Sequence, residues 1–183
     1  MRYAKKYSKA QVLMHWGLAG CFLSLLAVGF WMGSIPKNSP YIGTVYAIHK
    51  LFGLMVLGLV LWRLVVRWRA PAVERITTNI WERYAADMVH GGLYVAMLLM
   101  PFSGWWMSMA AGKTPKIFGW PLGISGLFPK SWAEIFSFLH HVGAKVLLAL
   151  ILVHVFASVV HGLREGRVFF KRISWIGFFS LQN

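Results

Sequence analysis

Acidic residues and cysteines are scarce in this chain. Of its 183 residues only five are Asp or Glu, against 19 Lys and Arg, and Cys21 is the one cysteine. A single cysteine excludes an internal disulfide and a cysteine-ligated cluster. Charged residues make up 13% of the chain and hydrophobic residues 58%, which leaves too little polar surface to enclose the apolar residues in water. We therefore expect an integral membrane protein.

Four apolar stretches are long enough to cross a bilayer. They cover residues of about 10–31, 44–66, 84–109 and 132–162, and each reaches the roughly 20 residues that a membrane helix needs. We expect Pro101 to bend the third helix, because proline lacks the amide hydrogen of a helical residue. No linker, low-complexity tract or repeat divides the chain, so residues 1–183 are predicted to form a single transmembrane domain. The predicted fold class is an all-α, integral membrane four-helix bundle.

The basic residues are distributed unevenly between the two sides of this bundle. Those on one side flank the first span, the second connection and the end of the fourth span: Arg2, Lys5, Lys6, Lys9, Arg63, Arg67, Arg69, Arg75, Arg83, Arg164, Arg167, Lys171 and Arg172. The connections on the other side carry mainly Lys37, Lys113, Lys116 and Lys130. By the positive-inside rule both termini are predicted to be cytoplasmic.

Topology also accounts for the net charge of +14, so no nucleic-acid partner is expected. The tail, residues 164–183, mixes aromatic with basic residues and is predicted to lie along the cytoplasmic interface, in contact with lipid.

Four histidines fall inside the predicted spans, where an ionisable side chain is costly and therefore a functional candidate: His15, His49, His140 and His154. His140 and His154 are 14 residues apart, almost four helical turns, so both imidazoles leave one helix face about 21 Å apart. Depth then pairs His49 with His140 on the outer side, and His15 with His154 on the cytoplasmic side. Each pair can supply two axial ligands to the iron of one haem b, which predicts two haems between the helices.

The other histidines leave alternatives open. His141 differs from His154 by about 140° around the helix and His140 by about 40°, which favours His140 as the ligand. His161 lies two turns after His154 and nearly in phase with it, and His90 lies near the start of the third span. Either is a candidate iron ligand, or a hydrogen-bonding residue near a haem propionate or a quinone. A zinc site fits less well, because zinc needs three or four ligands that converge on one point.

Each predicted helix carries part of a larger set of motif residues: Tyr7-Ser8, Gln11 and His15-Trp16; His49-Lys50, Gly53, Arg63-Leu64 and Arg67; His90, Leu93-Tyr94, Pro101 and Ser103-Gly104; and His140, His154 and His161. With these residues the chain resembles the prokaryotic cytochrome b561 family, the small four-helix, quinone-linked membrane cytochromes, over nearly its whole length. The fourth-helix pattern of that family usually has a Trp before the histidine, where this chain has Leu139.

The resemblance implies that His15 and His154 ligate a cytoplasmic-side haem, and His49 and His140 an outer one. It also implies single-electron transfer between a donor and the ubiquinone pool of the respiratory chain. One activity described in the family oxidises superoxide to oxygen and reduces ubiquinone, so the chain is expected to be a quinone-linked oxidoreductase.

Two classes of haem function remain open from the sequence, beside a third class without haem, a transporter that uses the histidines as proton relays and would be colourless. In the first, a small-molecule donor such as periplasmic superoxide reaches the outer haem, steered by Lys37, Lys50, Lys113, Lys116 and Lys130. In the second, the chain is a haem-b membrane-anchor subunit that relays electrons for a separate hydrogenase- or dehydrogenase-type complex. Lys145 lies inside the fourth span and is expected to snorkel outward or pair with a haem propionate. A homodimer is compatible with either class.

Overall fold

The computed structural model describes residues 7–71, 73, 77, 79–117, 119–124 and 126–166. Most of the predicted interfacial tail, from residue 167 onward, lies outside the described residues. The same holds for Arg2, Lys5, Lys6 and Arg75, four of the basic residues on which the topology prediction rests.

Four helices make up the bundle. α1 spans Lys9–Met32, α2 Ile42–Arg69, α3 Ile80–Ala110 and α4 Trp132–Glu165. Each is long and apolar enough to cross a membrane, so the predicted all-α membrane fold class is confirmed. The helices extend beyond the predicted spans mainly at Ile80, Arg69 and Glu165, because a helix continues past the hydrocarbon boundary until a cap or a proline stops it. α3 is one continuous helix with Pro101 inside it.

Local signals explain where the helices begin and end. α1 starts with a capping box, in which the Gln11 amide donates to Ser8 Oγ (3.3 Å) and the Ser8 amide donates to Gln11 Oε1 (2.8 Å). Asn79 is the N-cap residue of α3, and its Oδ1 accepts a hydrogen bond from the Trp81 amide at 2.9 Å. α2 ends where Ala70 becomes extended, directly before Pro71.

The connection between α3 and α4 contains a small hairpin that the sequence did not predict. β1 (Lys116–Ile117) pairs antiparallel with β2 (Trp120–Pro121). The indole Nε1 of Trp105 donates to the Leu122 carbonyl at 2.6 Å, which ties the hairpin to α3. Next to it, Gly123 has a φ of 130°, and a Cβ there would be 2.6 Å from Met109 Sδ. The approach of the hairpin to α3 therefore requires glycine at this position.

Neighbouring helices in the chain are neighbours in space, and they run in opposite directions. α1 packs against α2, α2 against α3, and α3 against α4, whereas the backbones of α1 and α2 approach that of α4 closely at few positions. The start of one helix therefore lies beside the end of another. Glu82 near the start of α3 contacts Arg164 near the end of α4, and Lys50 near the start of α2 contacts Lys113 beyond the end of α3. We call the end with Glu82 and Arg164 the basic end, and the opposite end, which carries β1 and β2, the hairpin end.

The centre of the bundle is apolar. A buried cluster joins α1, α2 and α4 half-way along their length, and its members are Leu18, Phe22, Leu26, Val56, Val60 and Leu147. Many large apolar side chains point outward, among them Trp62 and Phe156, as expected for a surface that faces lipid. Leu147 stands seven residues from both His140 and His154, so the cluster lies between the two histidine levels.

Candidate functional site

At the hairpin end, the structure brings His49 of α2 to His140 of α4. Their ring centroids are 6.4 Å apart and the rings are nearly perpendicular, at 89°. The neighbouring His141 is exposed and its Nδ1 lies 2.7 Å from the carbonyl of Ser137 on its own helix. The structure therefore places His140, and not His141, opposite His49.

The ring of His140 is also held by α3. Its Nδ1 lies 3.0 Å from the carbonyl oxygen of Met100 and 3.1 Å from the hydroxyl of Ser103. Because a carbonyl only accepts hydrogen bonds, Nδ1 carries the proton and Nε2 keeps its lone pair for a metal ion. A metal-ligating histidine usually donates its other ring N–H to such a carbonyl.

Gly104 makes room for the His140 ring at this end, whereas a Cβ on Gly29 would make only an ordinary contact with the His49 ring. A Cβ on Gly104 would be 2.9 Å from His140 Cε1, closer than real side chains approach, and one on Gly29 would be 3.5 Å from His49 Cε1. The buried Nδ1 of His49 has no hydrogen-bond partner among the described residues. A buried imidazole nitrogen without a hydrogen-bond partner costs free energy. The pocket of His49 therefore fits an imidazole that interacts with a bound group.

At the basic end, His154 of α4 lies between two histidines. Its ring centroid is 6.1 Å from that of His15 on α1 and 5.2 Å from that of His90 on α3. His15 in turn packs edge-on against Trp16, at 5.3 Å. This level therefore holds three imidazoles, of which the sequence had paired only His15 with His154.

The distances between ring centroids test whether the pairs fit a haem iron. A metal–imidazole bond is about 2 Å long, so two imidazoles bound to opposite faces of one iron have centroids roughly 6 Å apart. The His49–His140 and His15–His154 pairs, at 6.4 and 6.1 Å, match this spacing. The His90–His154 pair, at 5.2 Å, is shorter than it. Each matching pair also spans two helices whose backbones approach each other closely at few positions, which suits a flat macrocycle between them.

Positive charge from α2 lies near the pair at the basic end. The guanidinium groups of Arg63 and Arg67 lie over the Tyr94 ring, 5.9 and 5.5 Å from its centroid. Arg63 also acts electrostatically on His15, His90 and His154. His161 lies further along α4, within electrostatic reach of Glu82. The sequence identified these arginines as topology signals and motif residues but not as neighbours of the histidines, because that distance depends on how α2 is rotated in the bundle.

Most lysines that the structure describes are exposed, and Lys50 makes a hydrogen bond to the backbone. Lys50 Nζ donates to the carbonyl of Lys113 at 3.0 Å, which joins the start of α2 to the connection before the hairpin. Lys145 is exposed on α4. The remaining lysines of the hairpin end are also exposed: Lys37, Lys113, Lys116 and Lys130. Within the part of the chain that the structure describes, no group of three or more His, Cys, Asp or Glu side chains could hold a metal ion.

Comparison with known sequences identifies the family. The family profile described as prokaryotic cytochrome b561 matches residues 6–173. The chain belongs to the prokaryotic cytochrome b561 family. As a member of this family it is a multi-pass protein of the bacterial inner membrane that carries haem b and transfers electrons.

Individual related proteins agree with this assignment. Cytochrome b561 homolog 2 of Escherichia coli is 26% identical over 164 residues, which cover 86% of this chain and 85% of the relative. Cytochrome b562 of Cereibacter sphaeroides is 28% identical over 159 residues, or 85% and 86% of the two chains. Cytochrome b561 homolog 1 of E. coli is 23% identical over 158 residues, or 85% and 89%. The similarity to these cytochrome b561 and b562 relatives therefore covers most of each protein.

Proposed function

We propose that residues 1–183 form one transmembrane cytochrome domain that holds two haems b. His15 and His154 would ligate the iron at the basic end, and His49 and His140 the iron at the hairpin end. The observation that carries this proposal is the pair of centroid distances, 6.1 and 6.4 Å, each between helices whose backbones approach closely at few positions. A haem supplies one-electron chemistry through reversible reduction of its iron, and two imidazoles on that iron leave no open coordination position.

The separation of the two proposed sites supports an electron relay along α4. The residues His140 and His154 are separated by 14 positions, or about 21 Å of helix, with the buried apolar cluster between them. The chain's own residues orient the imidazoles, exclude water from the space between the levels and set the local field. We propose that single electrons pass between the hairpin end and the basic end in this way.

We further propose that the basic end is cytoplasmic and the hairpin end periplasmic. Arg67, Arg69, Arg83 and Arg164 lie at the basic end, and the positive-inside rule places such residues in the cytoplasm. The exposed lysines of the hairpin end outnumber its one acidic residue, Glu134. Such a surface favours a small anionic donor, and superoxide is the donor we propose.

Ubiquinone is the proposed acceptor. His90 is exposed on a membrane helix, where a histidine is costly, and it lies 5.2 Å from His154, so it is suited to contact a quinone headgroup beside the basic-end haem. In the overall reaction two superoxide anions each lose one electron and become oxygen. One ubiquinone takes up those two electrons together with two protons.

A haem count tests the first part of the proposal. Purified protein should give a reduced-minus-oxidised difference spectrum of b-type haem, and a pyridine haemochrome assay should give about two haems per chain. Protein without a Soret band, expressed with sufficient haem, would show that the imidazole pairs serve another purpose, such as the proton relay of a transporter.

The donor and acceptor need a separate measurement. Superoxide generated at a constant rate should be consumed faster by the purified protein when a soluble ubiquinone analogue is present, with one quinol formed per two superoxide anions. Haem-loaded protein that leaves superoxide untouched, and that is isolated together with an iron–sulfur subunit, would instead identify a membrane-anchor subunit.

A further inference from the structure

We infer that Ser103 and the carbonyl of Met100, both on α3, position the His140 ring and set the redox potential of the haem that it binds. This inference rests on the proposed ligation by His140. It assigns a role to α3, a helix that contributes no ligand to either proposed iron site.

Three polar atoms form a closed triangle beside the His140 ring. The Ser103 hydroxyl donates to the Met100 carbonyl at 3.0 Å, and His140 Nδ1 lies 3.0 Å from that carbonyl and 3.1 Å from the hydroxyl oxygen. The hydroxyl proton is used by the carbonyl, so the hydroxyl oxygen is free to accept from the ring. The Nδ1–H group therefore has two acceptors, which is a bifurcated hydrogen bond.

The triangle is shielded and sterically fixed. Ser103 is only 6% exposed, so water does not compete for its hydroxyl. Gly104 gives the ring its place, since a Cβ at residue 104 would be 2.9 Å from Cε1 and 3.1 Å from Nδ1 of His140. Glycine and serine at consecutive positions thus allow the ring to approach α3 and supply the hydroxyl that it contacts.

The hydrogen bonds have an electronic effect on the ligand. Two acceptors on Nδ1–H make the ring more electron-donating at Nε2, and stronger donation favours the oxidised iron, so the midpoint potential falls. The buried Nδ1 of His49, on the other side of this level, has no such hydrogen bond among the described residues. Ser103 therefore acts on this haem through His140.

Replacing the hydroxyl tests the inference. In Ser103→Ala, a redox titration should show the midpoint potential of one haem shifted to a more positive value and that of the other unchanged. The low-spin EPR signal of the same haem should change its largest g value, because the ring loses a contact that fixes its rotation. Ser103→Thr keeps the hydroxyl and should return both readouts toward wild type.

Ser108→Ala is the matched control. Ser108 is a second buried serine of α3, 2% exposed, whose hydroxyl has no hydrogen-bond partner among the described residues. Its replacement should move neither potential. If Ser103→Ala leaves both potentials in place, shifts one to a more negative value, shifts both equally, or is not distinguished from Ser103→Thr, the inference is overturned.

The failure of this inference is distinguishable from failure of the proposed function. If the wild-type chain holds two haems and their potentials do not change in Ser103→Ala, only the positioning role is overturned. A wild-type chain without bis-imidazole haem would overturn the ligation on which that role depends. Should Ser103→Ala lose one haem, recovery of that haem in Ser103→Thr would support the role of the hydroxyl, and the same loss in Thr would contradict it.

Discussion

The two histidine levels have similar ring spacing but different surroundings. At the hairpin end, His140 is hydrogen-bonded to α3 and the packing partners are glycine, serine and a carbonyl. At the basic end, His154 has two histidine neighbours and the Arg63 guanidinium acts on all three rings. If these pairs ligate haem as we propose, a neutral hydrogen bond acts on one pair and fixed charge on the other. We expect the two haems to differ in redox potential for this reason.

The largest effect is expected from removal of a ligand at either level. His140→Ala should lower the haem content from about two per chain to about one, and the haem lost should be the one at the hairpin end. His15→Ala should also leave about one haem, but here the haem that remains should be the one at the hairpin end. Pyridine haemochrome assays give the count, and redox titrations identify which centre is left.

Two histidine variants serve as matched controls. His141→Ala and His90→Ala should each retain two haems, because His141 bonds its own helix and the His90–His154 distance of 5.2 Å is too short for a shared iron. If His90→Ala loses a haem and His15→Ala does not, His90 is the partner of His154.

A methyl group on Gly104 should affect one level only. In Gly104→Ala the new Cβ would lie 2.9 Å from His140 Cε1, so either the ring or α3 must move. We expect weaker retention of the hairpin-end haem during detergent purification, by at least several-fold, with the basic-end haem retained. Gly58→Ala, on α2, is the control, since nothing lies within 4 Å of a Cβ at that position. Equal haem loss in both variants would point to a general packing defect.

Charge at the basic end should change a potential without changing the haem count. Arg63→Gln removes the positive charge that acts on His15, His90 and His154. A nearby positive charge favours the reduced iron, so its loss should lower the potential of the basic-end haem by tens of millivolts, roughly the size of a partly screened charge interaction. A redox titration that shows the hairpin-end haem shifted instead would contradict our placement of Arg63.

The sequence predicted the regular parts of this arrangement and missed the rest. Hydropathy located the four helices, and helical phase brought His140 rather than His141 opposite His49. The contact of His140 with Met100 was not predictable, because a backbone carbonyl leaves no mark in the sequence. The approach of His90 to His154 depends on the rotation of α3 about its axis, which its apolar pattern leaves undetermined in lipid. The two-residue strands of the hairpin are too short to show a period.

The smallest effect is expected from the capping box of α1. Ser8→Ala removes the hydroxyl that accepts from the Gln11 amide, which costs about 1 kcal/mol of stability for a typical N-cap. For a chain of this size that corresponds to a melting temperature lower by about 2–4 °C. His15 lies two turns beyond Ser8, so the basic-end haem should be released first on heating. The loss of Soret absorbance measures this release.

Ser131→Ala is the matched control at the hairpin end, because Ser131 precedes α4 without a side-chain capping bond. Its melting temperature should equal that of the wild type, and an equal decrease in both variants would show that capping does not explain the loss in Ser8→Ala.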